Sequence, residues 1–417
     1  MPGLLCGRCG APGTPSGRAA SCPACQEPAA PGAAVVAAAA WLPAHGVPGT
    51  GRALGDVLLG YRKANGLNQQ QLAGMLGYDR TYISMIESGR RRVTDRGTLA
   101  YIAATLAVPP HLLGITDPGN ASYKAMLEFG AAVVRLADLA RRSGRPADAV
   151  SELWPLITRL EARVAAGHAD LAVMRLLAQA RVSFGVALGH LLPEERMATA
   201  ARWTGRALRT AWHLGDPHLL AAVLRMHGNE LRKAGHPAAA ITRLRQSLEL
   251  ETDPARTGSG LVLLARAAAG SGQPALFDAA TTESARLLPA GAEVLFSTFT
   301  VRETRLRGLL ATGRARQAVD IAEAAPAGDE PPTPQWRVIE RITTACVLAA
   351  AGEGHAAARM LTTAAGQAET LRLPHQVQRI IRITAQPGAL PGTESLRAQA
   401  TEALSRLRQQ LTEASPA

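Results

Sequence analysis

Aromatic side chains are scarce in this chain, since phenylalanine, tryptophan and tyrosine together make up 4% of its 417 residues. The interior must therefore be built mainly from alanine, leucine and valine, which suit closely packed helices. Lysine is almost absent too, because the only lysines are Lys63, Lys124 and Lys233. The formal net charge of +12 thus comes almost wholly from arginine. This charge is consistent with a polyanionic partner, but a high-GC genome would produce the same arginine bias.

Long apolar runs are missing as well. The nearest candidate, AAVVAAAAWL from Ala33 to Leu42, is about half of the roughly 20 residues that a membrane-spanning helix needs. It follows four cysteines and has no basic leader, which is not the pattern of a signal peptide. We interpret it as part of an Ala/Pro/Gly-rich linker over residues 29–52, and we expect a cytoplasmic protein with no membrane partner.

The sequence motifs of common catalytic sites are also lacking. No His-Glu helix motif for metal-dependent hydrolysis, no glycine-rich phosphate loop and no serine nucleophile elbow is found. The histidines are scattered, and most acidic residues lie at helical spacing from arginines, which is typical of surface ion pairs. We therefore expect that the protein is not an enzyme.

Two Cys-x-x-C motifs lie near the start of the chain, at Cys6 and Cys9 and at Cys22 and Cys25. Each such turn places two thiolates on one metal ion, and two of them close a tetrahedral site. Residues 1–28 are too few for an apolar core, so metal binding would supply the folding energy. Since four protein ligands leave no open position, we predict one structural Zn²⁺. A rubredoxin-like iron site, a pair of redox disulfides and a disordered tail are the competing interpretations, although a cytoplasmic setting disfavours stable disulfides.

The segment LNQQQLAGMLGYDRTYISMIESGRRR, from Leu67 to Arg92, predicts two short helices joined by a tight turn. Asn68 is a favourable cap for the first helix and Asp79 for the second, and Gly77 permits the left-handed turn between them. Apolar residues recur at helical spacing and are expected to face inward, namely Leu72, Met75 and Leu76 in the first helix and Ile83 and Ile86 in the second. The second helix leaves a polar face outward and is followed by an arginine cluster. This layout is typical of a helix that reads the major groove of DNA.

From about Ala53 to Ile115 the sequence resembles the lambda-repressor-like (Cro/C1, or XRE-type) DNA-binding domains. The resemblance implies five helices within residues 53–116 and double-stranded DNA as the partner. Gln69 matches the family position that braces the DNA backbone and a neighbouring recognition side chain, and Ser88 matches a phosphate-contacting residue. The base-reading positions correspond to Arg80, Thr81, Ser84 and Met85, and the basic cluster is Arg90, Arg91 and Arg92. An arginine at the first position suits guanine, and Met85 suits a thymine methyl group.

From about residue 120 to 417 the chain reads as consecutive helical hairpins. Their turns share a small-residue pattern around a glycine, at Gly144, Gly235, Gly272, Gly313 and Gly352. The last four glycines are 37, 41 and 39 residues apart, and the first gap is about two units long. That period is typical of helical solenoids, and the turn pattern resembles tetratricopeptide repeats. We predict an all-α protein with about seven hairpins, ending in a polar helix over Thr393–Glu413.

In such a solenoid the first helix of each hairpin lines a concave wall. With the turn glycines as register marks, the polar residues of that wall are Asp138, Arg141, Arg225, Asn229, Arg232, Arg266 and Arg307. Arg225 and Asn229 lie one helical turn apart and are expected to reach the same point. An arginine with an amide suits a peptide backbone or a carboxylate, whereas the alternative is that these arginines only solvate an exposed face. Cys346 falls on the same wall, where a cysteine is usually a small buried apolar residue, and the alternative is a sensor thiol.

These features together predict a sequence-specific transcriptional regulator at the bacterial nucleoid. The architecture resembles regulators whose repeats dimerise and bind a peptide or small-molecule effector, with a homodimer on two half-sites about one helical turn apart. Two alternatives remain open. The protein could be a repeat-based interaction scaffold that its DNA-binding domain tethers to DNA, or a DNA-binding component of a mobile-element or antitoxin system.

Overall fold

The computed structural model describes residues 54–106, 108, 113, 120–165, 169–291, 295–324, 330–386, 390 and 392–413. The predicted zinc ligands Cys6, Cys9, Cys22 and Cys25 and the predicted linker lie outside the described residues. Within the described ranges the chain forms eighteen α-helices, with two short 3₁₀ turns and no β-strand. The prediction of an all-α protein is confirmed.

The chain divides into two compact units. The first contains the described residues between 54 and 133 together with 155–178. The second contains residues 134–154 and the described residues from 179 onward.

The first unit begins with four short helices, α1 (Leu54–Ala64), α2 (Gln69–Leu76), α3 (Arg80–Glu87) and α4 (Arg96–Thr105). Asn68 and Gln71 form a reciprocal cap at the start of α2, with N···O distances of 2.9 and 2.8 Å. Asp79 accepts a hydrogen bond from the Thr81 amide at 2.6 Å and so caps α3, and Gly77 has a φ of +66°. The local signals for this helix-turn-helix are thus confirmed. The fifth helix that the resemblance implies within residues 53–116 lies mostly outside the described residues.

The apolar core of these four helices contains the predicted residues with one exception. Leu72, Leu76, Ile83 and Ile86 are all buried, whereas the side chain of Met75 is 44% exposed. The prediction that Met75 faces inward is wrong because the small Ala73 occupies the inward stripe beside Leu72 and Leu76. The helical spacing was read from large apolar residues alone, so the buried Ala73 was not recognised as a core residue.

Helices α1 and α3 approach each other closely at Gly55. A Cβ atom at this position would lie 2.2 Å from the carbonyl oxygen of Ile86. Only glycine therefore allows the backbone of α3 to pack at this distance from α1.

Fourteen further helices follow in the described ranges, and consecutive pairs make up seven hairpins. Their bounds are α5 (Asn120–Arg142), α6 (Pro146–Ala165), α7 (Leu171–Leu191), α8 (Met197–Leu214), α9 (Pro217–Lys233), α10 (Pro237–Leu250), α11 (Pro254–Gly270), α12 (Pro274–Leu287), α13 (Thr298–Ala311), α14 (Ala315–Glu323), α15 (Pro334–Ala350), α16 (Gly354–Thr370), α17 (Pro374–Thr384) and α18 (Glu394–Glu413). The resemblance to tetratricopeptide repeats stays a prediction, because the helical hairpins alone do not define that family.

The predicted turn glycines adopt the left-handed conformation. Gly144, Gly235, Gly272, Gly313 and Gly352 have φ values between +67° and +86°. After each of them the next amide donates to a carbonyl five residues earlier, for example from His236 to Leu231 at 2.9 Å. This is the Schellman termination of a helix. The double-length gap between Gly144 and Gly235 contains α7 and α8, which are joined through Pro193 and a 3₁₀ turn at Glu194–Arg196 and not through a glycine.

Helix α7 corrects the expectation that the chain has no long apolar segment. By length and composition it meets the requirement for crossing a membrane, and 61% of its apolar stretch is buried inside the protein. An ordinary core helix has the same properties, so this is weak evidence for a membrane span. Two arginines, Arg175 and Arg181, interrupt the run in the sequence and hide its apolar character.

Candidate nucleic-acid interface and basic cavity

Helix α3 presents its polar face outward. Ile83 and Ile86 are buried in the core of the first unit. On the opposite face Arg80 and Thr81 are exposed. The predicted base-reading residues that follow, Ser84 and Met85, are half-buried. The four side chains are therefore carried by a helix whose inner face is anchored, as a reader of base edges requires.

A buried ionic network joins α1, α2 and the end of α3. Arg62 donates from Nε to Glu87 Oε1 at 2.9 Å and from Nη2 to Oε2 at 3.1 Å. Gln69 donates from Nε2 to Glu87 Oε2 at 2.8 Å. The Glu87 side chain is only 6% exposed. Sequence reasoning missed Arg62 and Glu87, because the two residues are 25 positions apart and no local pattern links them.

The same network explains the protonation state of Glu87. Burial alone would raise the pKa of its carboxyl, but the hydrogen bonds from Arg62 and Gln69 outweigh that effect and lower the pKa. The bond to Glu87 also raises the pKa of Arg62. Gln69, expected to brace a recognition side chain, bonds instead to the last residue of α3. Its contribution in this structure is to hold the end of the recognition helix.

The arginine cluster after α3 is exposed at Arg90, Arg91 and Arg92. The guanidinium carbon of Arg91 lies 4.6 Å from the centre of the Tyr82 ring, a cation–π contact that restricts this side chain. The Ser88 hydroxyl donates to the Met85 carbonyl at 3.2 Å. A cation held beside the end of α3 suits a phosphate group, which would position the helix without reading sequence.

The second unit encloses a cavity of about 240 Å³. Its wall comes from the first helices of the hairpins, α5, α7, α9, α11, α13, α15 and α17, as expected for the concave side of a solenoid. Of the residues that the sequence placed on this wall, those that line the cavity are Arg141, Asn229, Arg232, Arg266 and Arg307. Their role in binding an effector stays a prediction.

Arg225 does not line the cavity. Its Nη1 donates to the carbonyl of Arg256 at 3.1 Å, at the start of the next hairpin. The expectation that Arg225 and Asn229 reach the same point therefore does not hold. Asp138 pairs with Arg141 at 3.5 Å and is not part of the lining.

Several lining residues were missed because they lie outside the assigned register. They include two histidines, His190 and His375, and three cations, Lys233, Arg379 and Arg382. Burial and the nearby cations Lys233 and Arg232 lower the pKa of His375 to about 3, so its ring is neutral. Burial also lowers the pKa of His190 well below its ordinary value. Helix α17 supplies three of these five residues, and none of the five turn glycines that served as register marks follows it.

Cys346 is a half-buried free thiol. Burial raises its pKa, which reduces the thiolate fraction and hence the reactivity. The structure thus favours the apolar role of Cys346 over that of a sensor thiol.

Comparison with known proteins agrees with the geometry of α1–α4. A protein-family model described as "Helix-turn-helix domain" matches residues 55–113. These residues therefore form a helix-turn-helix domain of the kind that the sequence resembles. No curated protein matches the chain significantly.

Among solved structures, the chain is similar to PlcR of Bacillus thuringiensis in a crystal structure with the peptide PapR7 and DNA. The identity is 15%, the match covers 65% of this chain and 94% of that chain, and the TM-score is 0.34. A TM-score of this size does not define a common arrangement.

Proposed function

We propose that this protein is a sequence-specific DNA-binding transcription regulator that reads its operator with α3. The observation that carries the proposal is the helix itself. Its apolar face is locked into the core through Ile83 and Ile86, and its last residue is fixed by the Arg62–Glu87–Gln69 network. The exposed Arg80 at its start is then available to base edges, and Arg91 at its end to phosphate.

We further propose that the repeat region senses an effector and forms a homodimer in the cytoplasm. The cavity on the wall of first helices supports the sensing role. Exposed apolar side chains on one face of α5 support dimerisation, since Phe129 is 67%, Leu136 63% and Leu139 60% exposed. Clustered exposure of this kind is typical of interaction surfaces.

We also propose that Cys6, Cys9, Cys22 and Cys25 bind one structural Zn²⁺. This proposal rests on their spacing in the sequence.

The DNA-binding proposal is tested by selecting fragments from a random pool with the purified full-length protein and sequencing them. A defined motif is expected. Arg80→Ala should lower affinity for that motif by about 1–3 kcal/mol and relax one base position, because one bidentate base contact is lost. Arg91→Ala should weaken cognate and random DNA about equally and lower the slope of log affinity against log salt concentration by about one.

The two variants control for each other, because each removes one arginine from the same surface. Selection that yields no motif would contradict sequence-specific binding. Equal losses on cognate and random DNA for both variants would contradict the assignment of Arg80 as a base reader.

A further inference from the structure

The cavity in the second unit is strongly cationic. Among the described residues that line it are seven arginine and lysine side chains and a single carboxylate, Glu194. Glu194 is engaged by both terminal nitrogens of Arg382. The cavity therefore carries an excess of positive charge that its own lining does not balance.

Two other cations have acidic partners just outside the lining. Lys233 Nζ lies 2.9 Å from Glu230 Oε1, and Arg141 Nη2 lies 3.5 Å from Asp138 Oδ1. The four remaining arginines, Arg232, Arg266, Arg307 and Arg379, have no carboxylate within 4 Å among the described residues.

Within hydrogen-bonding distance these four arginines have only neutral partners. At longer range the buried carboxylate of Glu230 attracts Arg232, and that of Glu303 attracts Arg266, Arg307 and Arg379. Arg232 donates to Asn229 Oδ1 at 3.0 Å and Arg379 to Thr343 Oγ1 at 3.3 Å, while Arg266 lies 5.6 Å from the Trp336 ring centre. Each also has a buried nitrogen without an acceptor among the described residues, namely Nε of Arg232 and Arg266 and Nη1 of Arg307 and Arg379. Buried donors of this kind are normally satisfied by a partner, so the cavity is suited to a ligand that supplies acceptors.

The shifted pKa values agree with this geometry. Burial and the neighbouring cations Arg232 and Arg307 lower the pKa of Arg266 well below its ordinary value. Burial and Arg379 lower that of Arg307 to about 9. A bound anion would raise the pKa of both arginines, because an opposite charge favours the charged form.

We propose that this cavity binds a compact small molecule with two or more anionic groups, either phosphate or carboxylate. Four guanidinium groups with no carboxylate within 4 Å suit a ligand with more than one negative charge, and planar guanidinium groups bind both kinds of anion through paired hydrogen bonds. The volume of about 240 Å³ is smaller than the roughly 300–1,000 Å³ of pockets for drug-sized ligands. It therefore favours a metabolite over a peptide of several residues. Met226, Leu263 and Trp336 supply an apolar part of the lining for its carbon skeleton.

The inference rests on the proposed function only in naming this molecule as the effector. Binding is therefore measured without DNA. Full-length protein is titrated calorimetrically with pyrophosphate, with citrate and, at matched ionic strength, with acetate. Pyrophosphate, citrate or both are expected to bind, whereas acetate, with one charge, is not. Binding of pyrophosphate alone assigns a phosphorylated ligand and binding of citrate alone a polycarboxylate.

Arg307→Met should weaken binding at least about tenfold, since a charge-assisted hydrogen bond is lost. Arg305→Met is the matched control, as Arg305 is exposed on the same helix, α13, and should bind the probes as the parent does. Arg379→Met, on α17, should repeat the result if Arg307→Met does not fold.

Three results would overturn the inference. The first is that neither pyrophosphate nor citrate binds the parent. The second is that the cavity variants bind the probes as Arg305→Met does, which would place the anion elsewhere, for example on the arginine cluster after α3. The third is that an acidic tetrapeptide binds although both small probes fail. Failure here with intact DNA selection leaves the proposed function standing. Anion binding at the cavity without any DNA motif would instead contradict the proposed function alone.

Discussion

Glu87 shows how one buried residue can organise a DNA-reading surface without contacting DNA. It accepts hydrogen bonds from Arg62 on α1 and Gln69 on α2, so the end of the recognition helix is tied to both of its neighbours. Removing one partner of such a network leaves the others buried and unpaired, and this is the costly change. The stability of the domain should therefore depend on the charge of Glu87.

Glu87→Gln is expected to lower the stability of α1–α4 by about 1–3 kcal/mol at pH 7. Hydrogen bonds hold the pKa of Glu87 below its usual 4.5, so its contribution is complete above pH 4.5 and is lost as the pH falls through the lowered pKa. The difference between parent and variant should accordingly shrink at acidic pH. Hydrogen exchange of residues 54–106 in the full-length protein measures this.

Glu249→Gln is the control, since Glu249 is exposed on α10 in the second unit. It should leave exchange in residues 54–106 unchanged at every pH. A Glu87→Gln variant with parental protection at pH 7 would show that the network does not stabilise the domain.

Individual residues were predictable where their role is local. The caps Asn68 and Asp79 and the turn glycine Gly77 have their partners within three to four residues, so spacing alone identified them. Arg62 and Glu87 were not predictable, because their contact depends on how α1 packs against α3. Arg225 was misplaced for a related reason. Its side chain donates to a backbone carbonyl of the next hairpin, a contact that its spacing along α9 does not reveal.

At the scale of whole elements, the contact between α1 and α3 rests on the missing side chain of Gly55. Gly55→Ala would bring a Cβ atom to 2.2 Å from the Ile86 carbonyl oxygen, and this backbone atom cannot rotate away. We expect α3 to be displaced, with a loss of about 1–3 kcal/mol in the stability of the domain and of specific DNA binding. Thermal unfolding and binding to the selected motif are the measurements.

Gly74→Ala is the matched control, in the neighbouring helix α2. No atom outside its own helix lies within 4 Å of an added Cβ there, so this change should be neutral or should stabilise the domain by up to about 1 kcal/mol. Equal behaviour of the two variants would contradict the close approach of α1 and α3.

The hairpins could be predicted as elements because each repeated turn carries its own glycine signal. The hairpin of α7 and α8 gave no such signal, since its link uses Pro193 and a 3₁₀ turn, and the sequence showed only a gap of double length. The cavity could be predicted only in part. Residues at repeating register, such as Arg266 and Arg307, were found because a turn glycine follows each of their helices. Those of α17 were not found, since none of the five turn glycines follows that helix.

At the scale of the whole molecule, the exposed apolar face of α5 carries the proposal of a dimer. The double change Phe129→Ser and Leu136→Ser should convert the protein to a monomer. Its affinity for an operator with two half-sites should then fall more than its affinity for a single half-site, because the two DNA-binding domains are no longer linked in one dimer. Sedimentation velocity and DNA titration are the measurements. Leu171→Ser is the control, as Leu171 is an exposed apolar residue of α7 that is 56% accessible. A monomeric parent, or a double variant that still dimerises, would contradict the proposal.

The zinc proposal concerns a part of the chain that lies outside the described residues, and the remaining cysteine supplies an internal control. Purified protein should carry one zinc per chain, and Cys6→Ser or Cys25→Ser should remove it, because a four-thiolate site loses its closure with any ligand. Cys346→Ser should retain the metal in full, since Cys346 is a free thiol on α15.

Elemental analysis of protein made under reducing conditions with added zinc measures the zinc content. Bound iron would indicate the rubredoxin-like alternative, and absence of metal with four titratable thiols near the start of the chain would contradict any metal site. Because residues 1–28 are too short for an apolar core, chelation should remove their structure while the helical circular dichroism of the repeats persists.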